Sequence, residues 1–371
     1  MTQAPQEPGR DGAIDAARVF TTALVVLHHT AITYGGSGGW FYKELPNGPT
    51  LSSQLLTFFC ALNQAWFMGF YFLLAGYYTT PALQAKGAWP FMKSRLLRLG
   101  LPLLLFGLVL GPLTVALGRT AQDKPFLDTL VTLWSRGTFE KGPLWFAWAL
   151  LLLAFLTLPF RRWLGAVRPV PSDRVLLAAA LATGAAALAL RQAWPVGVEA
   201  WGIQWGYAAG YVVLYVAGLL AAPGRWLQGW PEDSTRRWRQ VARWALPVLP
   251  LAALLGPRFF GWQGRAEGGL SVLSAVYAWW EPFVAWGLIL RLLQSCRERS
   301  ARLGPLGQRL ARRAFAVFVI HPPVVVAVSL AWRGVAAPAL LKIALTGLVS
   351  LLLCYQLAGW ALRAPGLRRV L

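Results

Sequence analysis

The chain has 371 residues, of which 57% are hydrophobic and 13% charged, whereas soluble domains run near roughly 45–50% and about 25%. A water-soluble fold of this length cannot hide so many apolar side chains, so composition excludes an ordinary soluble enzyme and makes lipid part of the solvent. The net charge of +21 would suit nucleic acid only if it gathered on one stripe; here it is parcelled out between apolar runs, so nucleic acid is not an expected partner.

In chain order, windows able to cross a hydrocarbon layer of roughly 30 Å lie at 14–34, 51–79, 96–117, 143–160, 174–190, 201–222, 241–256, 270–293, 310–332 and 338–361. The seventh is short and broken by Pro247 and Pro250. Membrane helices tolerate such residues when neighbours satisfy the freed backbone groups. The expected fold is all-α: a polytopic integral membrane protein, a bundle of about ten transmembrane helices. Its domain would span 14–362, with an N-terminal tail at 1–13 and a C-terminal tail at 363–371.

Lys and Arg favour cytoplasmic loops, and they alternate accordingly. With the N-terminus inside, inner segments carry Arg10 and Arg18; Lys86, Lys93, Arg95 and Arg98; Arg161, Arg162, Arg168 and Arg174; and Arg225, Arg236, Arg237, Arg239 and Arg243. Arg291, Arg297, Arg299, Arg302, Arg309, Arg312 and Arg313 follow, then Arg363, Arg368 and Arg369. Both termini are expected in the cytoplasm. The tryptophans read as interfacial anchors and helix packing, except Trp279 and Trp280, which lie too deep for a simple belt. Cys60, Cys296 and Cys354 have no metal or redox spacing, so neither a disulfide framework nor a metal site is expected. Asp11 and Asp15 interrupt any signal-peptide pattern, and the first helix is expected to stay attached.

An ionisable side chain inside a membrane is costly and points to function. All three histidines fall in apolar windows: His28 and His29 in the first, His321 in the ninth. Eleven residues separate Arg18 from His29, three turns plus about 20° with a rise of about 16 Å. One helix face thus carries an inner cation and an outer base, with His28 about 80° away. Arg95 and Arg98, at i and i+3, share a face at the inner mouth of the third helix, where guanidinium groups suit a phosphate. Anchoring to the inner membrane surface would explain the same arginines.

These residues carry a resemblance. RVFTTALVVLHH at Arg18 to His29 is similar to the Arg, ten residues, His pattern of the membrane acyltransferase type 3 family, which includes O-antigen acetylases and the glucan biosynthesis protein C. YFLLAGYY at Tyr71 to Tyr78, the pair Arg95 and Arg98, PLWFAWALL with its Trp145, and AFAVFVIHPPVVV around His321 resemble further family segments, in family order over most of the chain. Phe70, Ala75 and Pro143 replace an acid, a serine and a histidine common in the family. The resemblance implies an acyltransferase of a bacterial inner or plasma membrane, with no bound cofactor. It would move an acetyl, succinyl or similar group from cytoplasmic acyl-CoA to a hydroxyl of a glycan or other extracytoplasmic acceptor. His29 would be the general base, Arg18, Arg95 and Arg98 would hold the donor phosphates, and an acid in the first outer loop would support the histidine. Glu44 is the candidate acid.

Glu281, flanked by Trp279, Trp280 and Pro282, sits near mid-membrane and needs a partner, His321 or a buried arginine. His321, followed by Pro322 and Pro323, reads better as a helix kink. A multi-pass transporter or flippase is the alternative, since its midplane sites also use broken helices and isolated charges; no matching pair of interrupted helices in the two halves favours it.

Overall fold

The computed structural model describes residues 11–300 and 304–371; Arg10, Arg302 and most of the expected tail at 1–13 lie outside them. The described residues form helices α1 (Gly12–Thr33), α2 (Leu51–Lys86), α3 (Ala88–Gln122), α4 (Phe126–Ser135), α5 (Gly142–Trp163) and α6 (Asp173–Ala193). There follow α7 (Trp205–Ala221), α8 (Glu232–Ala245), α9 (Val248–Phe260), α10 (Val272–Ser300), α11 (Pro305–Ala331), α12 (Ala339–Ala361) and the short α13 (Pro365–Val370). Seven of them, α2, α3, α5, α6, α10, α11 and α12, are long and apolar enough to cross a membrane. α1 has 22 residues, but Asp15, Arg18, His28 and His29 dilute its hydropathy. The chain is a polytopic membrane protein.

Contacts between loops divide the molecule into two faces. On one, Lys141 reaches Glu199 at 2.6 Å, Val196 N–H donates to Glu267 at 2.8 Å, and Glu44 pairs with Lys342. These bonds gather the segments after α1, α4, α6 and α9 and the start of α12. On the other, Gln228 donates to Asp11 at 3.0 Å and its carbonyl accepts from Arg297 at 2.7 Å, Trp226 donates to the Arg168 carbonyl at 2.7 Å, and Asp173 binds Arg237 at 2.5 Å. Among the described residues the connections therefore alternate between faces; nine of the ten apolar windows coincide with one helix each, and the seventh falls across the end of α8 and most of α9. That window breaks at Leu246 and Pro247. The carbonyl of Ala245 at this break accepts from Trp280 at 2.9 Å, and Trp279 donates to Leu181 at 3.1 Å, so these deep tryptophans bond backbone rather than form a belt.

Local chemistry sets the element boundaries. The Asp11 carboxylate caps α1 by accepting from the Ala13 and Ile14 amides at 2.9 and 3.3 Å, and Thr50 caps α2 through Ser53. Gly87, at φ 76, separates α2 from α3 by one residue. α3 widens into π turns at Leu96–Gly100 and Phe106–Leu110, each just ahead of a proline, Pro102 and Pro112. The wider turn makes room for a ring that would clash with the carbonyl four residues back. α3 begins at Ala88, so Arg95 and Arg98 lie inside a helix rather than at its mouth.

α1 is the central helix, with α2, α10, α11 and α12 around it. α2 and α7 meet backbone to backbone: a Cβ on Gly76 would lie 2.0 Å from the Tyr215 carbonyl oxygen, and one on Gly218 would lie 2.0 Å from that of Leu73. Such reciprocal glycine contacts are how membrane helices approach closely without a hydrophobic driving force.

Candidate active site

All three histidines converge. His29 from α1 and His321 from α11 have centroids 5.1 Å apart and planes within 21°. Trp40, from the segment between α1 and α2, stacks on His29 at 4.0 Å and lies 5.9 Å from His321. His28 stands edge-on to His29 at 5.2 Å and packs on Phe67. His29 therefore faces the bundle interior rather than lipid. Among the described residues no group of His, Cys, Asp and Glu could hold a metal ion.

His321 is placed by its sequence neighbour. In an uninterrupted helix the Phe318 carbonyl accepts from the amide of residue 322, but that residue is Pro322 and has no N–H. The ring Nδ1 of His321 takes the vacant position, 2.6 Å from Phe318 O. A carbonyl oxygen only accepts, so Nδ1 carries the hydrogen and Nε2 keeps its lone pair in the neutral ring. The helix runs on through both prolines to Ala331; no break accompanies the kink read from the sequence.

A cavity of about 1320 Å³ reaches the rings of His28, His29 and Trp40. Its inner end is lined by Val25, His28, His29, Phe67, Met68 and Phe318, and its mouth by Lys43, Asn47, Arg119, Glu140, Lys141 and Glu199. The mouth thus lies on the face that joins the segments after α1, α4 and α6. Trp145, packed on Tyr211 at 5.5 Å, forms part of the wall, as do Gln64, Tyr207 and Pro143.

Other candidate residues lie apart. Arg18 points toward the opposite face and pairs with Asp15 at 3.4 Å. Arg95 donates to Thr79 at 3.0 Å and lies over the Phe91 ring, while Arg98 is exposed. None of the three lines the cavity. Between them and His29 stands Tyr71, whose hydroxyl bonds Thr21 at 3.0 Å, Thr22 at 2.7 Å and the Arg18 carbonyl at 3.3 Å. Glu44, the candidate acid, pairs with the buried Lys342, which lies within reach of the Tyr34 and Trp332 rings. That ion pair, the Glu44 amide on Thr33 O and Tyr34 on Thr346 pin the segment that carries Trp40.

Of the two partners open to Glu281, the buried arginine is the one present: Arg191, fully buried. Arg191 also donates to Gly206 O at 3.0 Å and lies over the Tyr277 ring at 4.6 Å. Sequence reasoning missed it because the fifth window closes at 190, one residue short, although a lone arginine ending an apolar run was a visible signal. Lys342, a single charge inside the tenth window, was an equally visible one. Trp40 carried no such signal, since only the folded segment brings it over His29.

A family model described as an acyltransferase domain matches residues 11–359. No curated protein and no solved structure matches the chain.

Proposed function

Since the chain belongs to the acyltransferase 3 family, membrane enzymes that transfer acyl groups, we propose that it moves an acyl group from acyl-CoA, bound on the cation-rich face, to a hydroxyl of a glycan or other acceptor held in the cavity. The cation-rich face, with both termini, is cytoplasmic in this reading, as the positive-inside rule requires. One observation carries the proposal: His29 stands at the closed end of a large polar-mouthed cavity, on the same helix face as Arg18 and about 16 Å above it along the axis, a reach suited to a phosphopantetheine arm.

His29 acts as general base. Its ring takes the proton of the acceptor hydroxyl as that oxygen attacks the thioester carbonyl. The tetrahedral intermediate then expels the thiolate, and the proton returns through the imidazole to give the ester and free coenzyme A. Correctly positioned, such a base contributes roughly 10²–10⁴ in rate. Arg18, Arg95 and Arg98 supply the donor's phosphate grip, and Glu44 acts through Lys342 by fixing the loop that sets Trp40 on the histidine. Flat faces at Trp40, Phe41 and Trp145 beside polar Gln64, Glu140 and Lys141 suit a sugar ring. The volume exceeds the roughly 300–1,000 Å³ of sites for drug-sized ligands, which favours an oligomeric or lipid-linked acceptor.

Purified protein given radiolabelled acetyl-CoA and cell-envelope glycan should form labelled ester, and His29→Ala should abolish it. Transport of the glycan without thioester consumption, or full transfer by His29→Ala, would overturn the proposal in favour of a transporter or of another base.

A further inference from the structure

A general base needs its proton on the far nitrogen, and in hydrolytic triads a buried carboxylate holds it there. Here the Glu44 carboxylate is held through Oε1 by Lys342, and no hydrogen bond joins it to His29. Three imidazole nitrogens at the centre of the bundle are instead buried without a hydrogen-bond partner, Nδ1 of His28, Nδ1 of His29 and Nε2 of His321, as is Nε1 of Trp40 beside them. Buried polar nitrogens left unpaired are costly, so this cluster calls for an explanation; within it, Nδ1 of His29 and Nε2 of His321 belong to the two near-parallel imidazoles. Their rings have centroids 5.1 Å apart, a gap that one bridging water or a modest turn of either ring closes.

We propose that His321 is the positioning residue for His29: its Nε2 accepts a hydrogen bond from His29 Nδ1–H, which leaves His29 Nε2 as the free base. The chemistry is one-directional. Phe318 O, stripped of its helical donor by Pro322, accepts from His321 Nδ1; His321 is thereby an acceptor at Nε2, and His29 must donate from Nδ1. A proline, a carbonyl and two imidazoles then do the orienting work that an acid does in a triad. His28 is no substitute, since its ring lies edge-on to His29 and packs on Phe67. The inference rests on the general-base role of His29, and its tests separate the two.

The chain has only three histidines, so their tautomers are readable by ¹⁵N NMR of histidine-labelled protein in nanodiscs. The expected spectrum of the unmodified protein shows hydrogen on Nδ1 of both His29 and His321, assigned with His28→Gln and His321→Gln variants. Hydrogen on Nε2 of either would overturn the proposal while leaving His29 itself in place as the base. In turnover, His321→Phe should lower kcat about 10²-fold, within the usual span for general-base catalysis, with acceptor KM changed less than about 3-fold, as expected for an interaction felt in the transition state. His321→Gln, whose amide donates at one atom and accepts at the other, should recover at least a tenth of the lost rate. A packing role gives the reverse order, phenylalanine active and glutamine impaired, and that order would also overturn the proposal. Loss of the general-base reading itself would appear differently, as activity surviving in His29→Ala.

Discussion

Replacing Arg191 by leucine tests how the bundle carries charge. The arginine is fully buried, and the Glu281 side chain with which it pairs is 11% exposed. Deleting the cation strands a carboxylate whose second oxygen, Oε1, already lacks a partner, and frees the Gly206 carbonyl. Breaking a buried ion pair from one side costs about 3–5 kcal/mol because a charge is left without compensation. At about 2 °C per kcal/mol for a long chain, the unfolding midpoint should fall roughly 6–10 °C. Glu281→Leu should do the same, stranding the guanidinium between Tyr207 and Tyr277. The double variant leaves neither charge behind and should regain at least half the loss. Thermal melts followed by tryptophan fluorescence in one detergent read all four proteins. Single variants melting within about 2 °C of the parent, or a double variant no better than either single, would refute the reasoning.

Gly76→Val should prevent folding or sharply lower the melting temperature, since its Cβ would meet the Tyr215 carbonyl at 2.0 Å, whereas Gly210→Ala, with nothing within 4 Å, should melt like the parent; size-exclusion profiles and melts compare them. Arg98→Ala should raise donor KM several-fold with acceptor KM unchanged, because a phosphate grip is ground-state binding; steady-state kinetics with each substrate varied in turn decide it. His28→Ala should keep at least about 10-fold more transfer activity than His29→Ala, since a base contributes roughly 10²–10⁴ and His28 lies on another side of α1. Glu44→Gln should cost less than His29→Ala and should be mimicked by Lys342→Met, because both loosen one loop; matched single-turnover assays would show it.

Much of this architecture was written in hydropathy. Nine of the ten windows coincide with one helix each, because lipid enforces long helices and charge sorting leaves a strong one-dimensional trace. The weakest window is the one that breaks, at Pro247. Arg18 and His29 shared a face by periodicity alone. What stayed hidden is long-range: no spacing rule says that residue 321 meets residue 29, that Glu44 is bound by a lysine 298 positions away, or that a tryptophan from the first loop folds over the histidine. The pair after His321 was legible as a kink, yet its chemical effect, a carbonyl set free for the neighbouring ring, depends on side-chain rotation that sequence does not encode. Arg191 falls one residue past the apolar window, in a last turn where it alone is buried while Gln192 and Ala193 are exposed.

The hydroxyl knot of Tyr71 with Thr21 and Thr22 has an electrical meaning. The cavity is lined by Val25, Phe67, Met68 and Phe318 but by neither Tyr71 nor Arg18, and the knot ties Tyr71 to the Arg18 carbonyl on the far side. A permanent bore through this septum would short-circuit the ion gradients that the bilayer exists to hold. In the proposed reaction a thioester arm threading past Tyr71 would itself fill the gap it opens, as a piston fills its sleeve, so the passage would be plugged by substrate whenever it was not plugged by phenol.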